Sequence, residues 1–268
     1  MRDNYPHIKG SQAFIRFNVS FRRTKLLKDI ALAELTNRID QITGLLRKIS
    51  NAEEIASTDE ASDYGNEVII DETGNQLTRV TLTENELNFL HDTMDFSHKE
   101  HVILDTYLYS VLIVFIWGAF ETYNSSLFKE LFTIKPEMLK SNETVKYDEL
   151  LSNLDNPIKL LIGKELAKIG HFKLKELLNY LDSKLNVKMD NSIVEKLHEI
   201  YLVRNIIAHN TGFVRDEFLQ SIPTNIKTID NEIIVTEEYF EEAIVHIRDA
   251  VELIEAKVKK SFFINTAN

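Results

Sequence analysis

The sequence predicts an all-α protein, a helical bundle with two small β-hairpin decorations. Three observations lead there. Only 8 Gly and 4 Pro occur in 268 residues, too few for a turn-rich β architecture. Apolar residues recur at helical spacing over long stretches. Ser or Thr stands three residues before Glu at Thr83–Glu86, Ser97–Glu100 and Ser192–Glu195, the spacing of a helix-start capping box. A hydrophobic content of 44% fills one generous core or two small ones.

Taken in order, Leu35, Ile39, Ile42, Leu46 and Ile49 share one helical face and predict a helix from Thr24 to about Ile55. The run "STDEASDYGN" breaks that pattern, and "EVIIDETGNQLTRVTL" then reads as two short strands around a Thr-Gly-Asn turn. Residues 57–82 are therefore expected to form an exposed insertion. The first two capping boxes place helices at about 84–96 and 98–132. Pro136 and Pro157 bound a looser segment with a short helix, with further helices near 158–168 and 172–185. Ser192 opens the next helix and Gly212 is its natural terminator. Ile226–Ile229 and Glu232–Val235 flank an Asp-Asn turn as a second hairpin, after which Thr236 caps a last helix to about Lys260. The chain thus divides into residues 1–82, an N-terminal extension with a long helix and an acidic hairpin insertion, and residues 83–268, the helical domain.

Composition excludes several classes of function. The absence of Cys removes disulfides, thiolate metal sites and cysteine nucleophiles, and suits a reducing cytoplasm. The N-terminus lacks a signal-peptide core, and the most apolar run, Val111 to Phe120, is about half the ~20 residues of a membrane span. A cytoplasmic protein without a membrane partner is expected. The net charge of −11 is concentrated in residues 51–100, which hold 13 acidic and 2 basic side chains and account for all of it. Residues 1–28 carry Arg2, Lys9, Arg16, Arg22, Arg23, Lys25 and Lys28 against Asp3 alone, a basic arm compatible with local phosphate binding. Read as charge alone, it is equally a solvated tail.

The chemistry-bearing stretch is "YLVRNIIAHN", Tyr201 to Asn210. On an ideal helix Leu197, Ile200, Arg204 and Ile207 fall within about 40° of one line, so Arg204 lies inside an apolar stripe. A guanidinium there needs a carboxylate or several acceptors. His198, Leu202, Asn205, Ile206 and His209 occupy the opposite side, itself partly apolar and suited to a second subunit or a flanking helix. Arg204 and His209 stand about 140° apart, whereas Asn205 and His209 stack at i, i+4. An imidazole that moves protons near neutral pH, an Arg that holds phosphate, and an amide that orients either suit RNA cleavage through the substrate's own 2′-hydroxyl. No metal or cofactor is needed for it. The plainer alternative is a satisfied core ion pair with a structural His.

"RNIIAHN" resembles the signature of the HEPN superfamily, R-x4–6-H with a polar residue after the Arg. The apolar helix "VFIWGAFETYNSSLF", with Glu121, is similar to that family's other central helix. The segment "IKTIDNEIIVTEEYFEEAIVHI" is similar to the hairpin and helix that often come after the family's motif. The resemblance covers roughly residues 84–260. It implies an all-α domain that homodimerises so that two motifs build one cleft, and a metal-independent endoribonuclease acting as a toxin or antiphage defence effector. Arg204 and His209 would then be catalytic, Asn205 supportive, and Glu121 an auxiliary group accepting from Arg204. RNA would be the substrate, with an antitoxin or other defence-system protein as partner. The chain departs from the family's frequent acidic-x3-basic pattern at Ser125, and Asn210-Thr211 replaces the x-Tyr of some toxins.

Two other classes compete. One is a non-catalytic HEPN module that binds nucleotide, RNA or a protein. The other is a metal-dependent carboxylate bundle, for which Glu195 with His198, and His91 with Asp95 and His98, have i, i+3 or i, i+4, i+7 spacings. His7, His101, His171 and His246 lack partners at catalytic spacing, and Trp117 reads as core. No Gly-rich phosphate loop, nucleophile elbow or H-E-x-x-H helix occurs.

Overall fold

The computed structural model describes residues 10–50, 54–58, 67–70, 76–83, 85–88, 104–139, 145–151, 154–214 and 226–263. Helix dominates them, with little sheet, as the composition predicts. The helices are α1 (Gln12–Ser50), α2 (Leu104–Ile134), α3 (Tyr147–Leu151), α4 (Pro157–Ile169), α5 (Leu174–Leu185), α6 (Asn191–Asn210) and α7 (Glu237–Val258). The strands are β1 (Glu54–Thr58), β2 (Glu67–Ile70), β3 (Gln76–Thr83), β4 (Lys227–Ile229) and β5 (Glu232–Ile234).

The chain forms two units, one of residues 1–26 with 107–268 and one of residues 27–106. The sequence reading places its division after residue 82. Helix α1 begins at Gln12, well before the expected Thr24. Ser11 caps it, its Oγ accepting from the Phe14 N–H at 3.0 Å. Glu255 of α7 accepts from the Ser11 N–H and Oγ, and Glu130 of α2 accepts from the N–H groups of Gln12 and Ala13. These carboxylates satisfy orphan donors of the first turn and complement its dipole. Ala13 and Phe17 are buried, and Phe17 packs on Tyr123 at 5.9 Å, so the first turns of α1 belong to the helical unit.

The core of that unit is built around α2. Its Ile113, Ile116, Trp117, Phe120, Leu127, Phe128 and Leu131 are fully buried, each worth about 1.5–3 kcal/mol on burial. Aromatic pairs tie it to its neighbours: Tyr109 to Phe240 of α7, Phe128 to Tyr180 of α5, and Trp117 to Tyr201 of α6. By length and composition Thr106–Ile134 is apolar enough to cross a membrane, a longer stretch than the predicted ten-residue run. Half of its most apolar window is buried within the protein, the pattern of a core helix.

The second hairpin forms as predicted. β4 pairs antiparallel with β5 across Asp230 (φ 50°) and Asn231 (φ 66°), residues that tolerate the left-handed turn conformation. Thr236 then caps α7, accepting from the Tyr239 N–H at 3.3 Å. In the other unit β2 pairs antiparallel with β3, the predicted first hairpin. β1 adds parallel to β3, giving the order β1-β3-β2, where the apolar periodicity predicts helix as far as about Ile55. Thr83 and Glu86 make the predicted reciprocal capping box, at 2.9 and 3.1 Å. The predicted Ser97–Glu100 box lies outside the described residues.

A candidate phosphate site on helices α2 and α6

Helix α6 buries Leu197, Ile200 and Val203. The buried stripe thus turns toward Val203, and the expected Ile207 is only half-buried. Arg204 lies at the stripe's edge, its side chain 20% exposed. The carboxylate it needs comes from Glu121 of α2. Arg204 Nη2 donates to Glu121 Oε1 at 3.2 Å and Oε2 at 3.1 Å, while Nη1 donates to Asn205 Oδ1 at 2.8 Å. Its Nε is buried and has no partner among the described residues.

Glu121 is fixed from behind. The indole Nε1–H of Trp117, one turn earlier on α2, donates to Glu121 Oε1 at 2.8 Å. Trp117 is itself locked by burial and by packing on Tyr201 at 5.7 Å. A chain of charge-assisted bonds therefore runs from the core outward through Trp117, Glu121, Arg204 and Asn205. Sequence reasoning assigns Trp117 to the core and misses this role, although its position four residues before Glu121 puts both on one helix face. It misses Tyr201 as well.

Asn205 departs from expectation in one respect. Helix geometry puts it beside His209, but its amide oxygen is committed to Arg204. The bond to a neighbouring cation is the stronger use of that acceptor. His209 lies exposed in the last turn of α6 and makes no hydrogen bond or ion pair among the described residues. The backbone holds this turn in place. Thr211 (φ 52°) and Gly212 (φ 91°) take left-handed conformations, the Gly212 N–H donates to the Ile206 carbonyl at 3.3 Å, and the Gly212 carbonyl accepts from the Ile233 N–H at 2.9 Å. The predicted Ser192 start is replaced by Asp190, which flanks a helix beginning at Asn191.

The outer side of α6 carries Leu202 and Ile206 half-exposed between His198 and His209, both exposed. Glu195 is exposed too, and His91, Asp95 and His98 lie outside the described residues. Among the described residues no cluster of three His, Asp or Glu could hold a metal ion. Chemically, the site offers an oriented, partly exposed guanidinium, a carboxylate holding it, and an exposed imidazole about one turn further along α6. No known family profile, curated protein or solved structure matches this chain.

Proposed function

We propose that the protein is a metal-independent endoribonuclease of the HEPN type, acting as a homodimer in a toxin or antiphage defence role. The observation that carries this reading is the Arg204 guanidinium, held at the surface by Glu121 and Asn205 in the motif helix that ends in an exposed His209. At this rim a phosphate can compete with Glu121 for the guanidinium.

In the reaction, the 2′-oxygen attacks the adjacent phosphorus as its proton is withdrawn, and the bond to the 5′-oxygen breaks. The products are a 2′,3′-cyclic phosphate and a 5′-hydroxyl. His209 moves protons to or from these oxygens, and Arg204 stabilises charge on the non-bridging oxygens. Asn205 and Glu121 are positioning residues for the guanidinium. Arg204 and His209 point about 140° apart on one helix, so a single copy makes a poor site. A second copy meeting the half-exposed Leu202 and Ile206 face would place another imidazole at the same cleft.

The test is cleavage of a mixed RNA pool in EDTA, with end analysis for cyclic phosphate. The expected result is cutting by the dimer and none by His209→Ala at unchanged dimer mass. Undiminished cutting by that variant sinks the proposal. Binding of RNA with no cutting by the parent protein would make this a binding module instead.

A further inference from the structure

Within the helical unit, α1 and α2 leave a groove of about 390 Å³ between them. Its lining includes Arg16 and Ser20 from α1, and Phe115, Gly118, Thr122 and Ser126 from α2. Gly118 follows Trp117 and Thr122 follows Glu121, so the groove runs one step round α2 from the carboxylate that holds Arg204.

Two properties of its walls point to one kind of occupant. The first is charge. Several cations of this acidic chain are taken up: Lys25 by Glu241, Arg38 by Glu34, Lys164 by Glu149, Lys196 by Glu199, Arg204 by Glu121 and Arg248 by Glu252. Arg16 and Arg23 are exposed and form no ion pair among the described residues, although Arg16 acts on Glu130 at longer range. Seven residues apart, they share one face of α1 about 10 Å from each other. The second is an exposed aromatic. Phe115 is 51% exposed in the groove wall, with Val111 and Tyr107 exposed one and two turns before it on the same face of α2. Exposed arginines beside an exposed aromatic are the elements of a single-strand binding track, cations for phosphates and a ring for a base.

We propose that this groove carries a single strand of RNA to Arg204, with Arg16 and Arg23 holding its phosphates and Phe115 stacking on a base. The identity of the polymer rests on the endoribonuclease reading; the groove's cations and ring do not. The basic first turns of α1, set apart in the sequence as an extension, then become part of the substrate surface.

The probe is a labelled single strand of about 12 nucleotides, a length within known single-strand site sizes, with 2′-O-methyl riboses so that it cannot be cut. Binding to the full chain is followed by fluorescence anisotropy over a range of salt. The parent protein should bind the strand with an affinity that falls as salt rises. Arg16→Gln with Arg23→Gln should weaken binding by about 10-fold or more and reduce the slope of log affinity against log salt by about 1.4, two phosphate contacts' worth. Phe115→Ala should weaken binding and leave that slope alone. Lys25→Gln, which removes an equal charge from a paired site, should have little effect.

Parent-like affinity and slope in the double arginine variant overturn the proposal. So does a variant whose defect is loss of the dimer with RNA binding intact, since the groove then receives a second copy. The two readings fail separately. A protein that cuts RNA indifferently to Arg16 and Arg23 keeps the endoribonuclease reading and loses the groove, and one that binds through them but cuts nothing does the reverse.

Discussion

Glu255 and Glu121 are carboxylates on two helices of the same bundle, put to opposite uses. Glu255 is 1% exposed and accepts from the Ser11 N–H at 2.6 Å, the Ser11 hydroxyl at 2.9 Å and the Tyr123 hydroxyl at 3.3 Å. Its partners are neutral and interior. The fit is close, since a Cβ added at Gly10 would lie 2.9 Å from Glu255 Oε1. Glu121 accepts from an interior indole on one side and from a surface guanidinium on the other. A buried carboxylate with three neutral donors joins elements of the fold. One that hands a cation to the solvent edge prepares it for an anion. The contrast separates a structural acid from a candidate functional one where residue type cannot.

The largest effect expected is on the functional side. His209→Ala should lower the rate of RNA cutting by about 10²–10⁴-fold, the usual contribution of a general acid or base. Arg204→Ala should cost about 10²–10³-fold, as loss of a charge-stabilising donor does. His209 is exposed and without bonds among the described residues, so its removal should leave the unfolding midpoint in place. Rates from single-turnover gels and midpoints from urea titration check the pair. A fall in stability that tracks the fall in rate would put His209 on the structural side of the comparison.

Next is the structural acid. Glu255→Ala strands three buried donors, the N–H and hydroxyl of Ser11 and the hydroxyl of Tyr123. The cost should be on the order of 3 kcal/mol, from hydrogen bonds to a charged group. Urea unfolding followed by circular dichroism measures it. An unchanged midpoint would mean that the contacts between Glu255 and Ser11 do not hold α1 to the bundle.

Legibility in the sequence divides along similar lines. Asp230-Asn231, Thr236, and Thr83 with Glu86 act on residues three or four away, and each appears where local chemistry puts it. The start of α1 is invisible for the opposite reason. Ser11 is held by a residue 244 positions distant, which no local pattern reports. β1 escapes notice because its partner is parallel and remote, Ile55 lying opposite Val80, with no turn to announce it. At the site, an Arg set in an apolar stripe demands a carboxylate, and the family resemblance, not the stripe, offers Glu121 for it. Trp117 is not legible, since an indole N–H leaves no trace in a hydrophobic pattern.

A third prediction concerns pH. Burial, with the nearby Glu255 charge adding to it, pushes the Glu130 carboxyl above its ordinary value of 4.5, against the lowering effect of the Gln12 and Ala13 N–H groups and of Arg16. The native state then holds this proton more tightly than the unfolded chain does. In the window from 4.5 up to the raised value, native protein carries more bound protons, so stability falls as pH rises through it. Glu130→Gln should flatten that decline. Urea midpoints measured between about pH 4 and pH 7, spanning the carboxyl range, decide it, and identical slopes for parent and variant would show that Glu130 does not contribute.

The smallest effect is the most discriminating. Glu121→Gln retains an oxygen that can accept from the Trp117 indole and from Arg204, and removes only the charge. The pair it weakens lies at the surface, with side chains 45% and 20% exposed, where ion pairs are worth about 0–1 kcal/mol. Stability should therefore shift by less than about 1 kcal/mol, while RNA cutting falls by about 10-fold, as a guanidinium less firmly aimed stabilises charge less well. The matching exchange at Glu255, Glu255→Gln, keeps an acceptor too but must set an amide N–H among buried donors, and it should cost several times more stability. Measured side by side, the two exchanges test the comparison itself. Should Glu121→Gln unfold the protein as readily as Glu255→Gln, Arg204 is a structural cation like any other in the bundle. The case for a phosphate site would then have to rest on His209 and the groove alone.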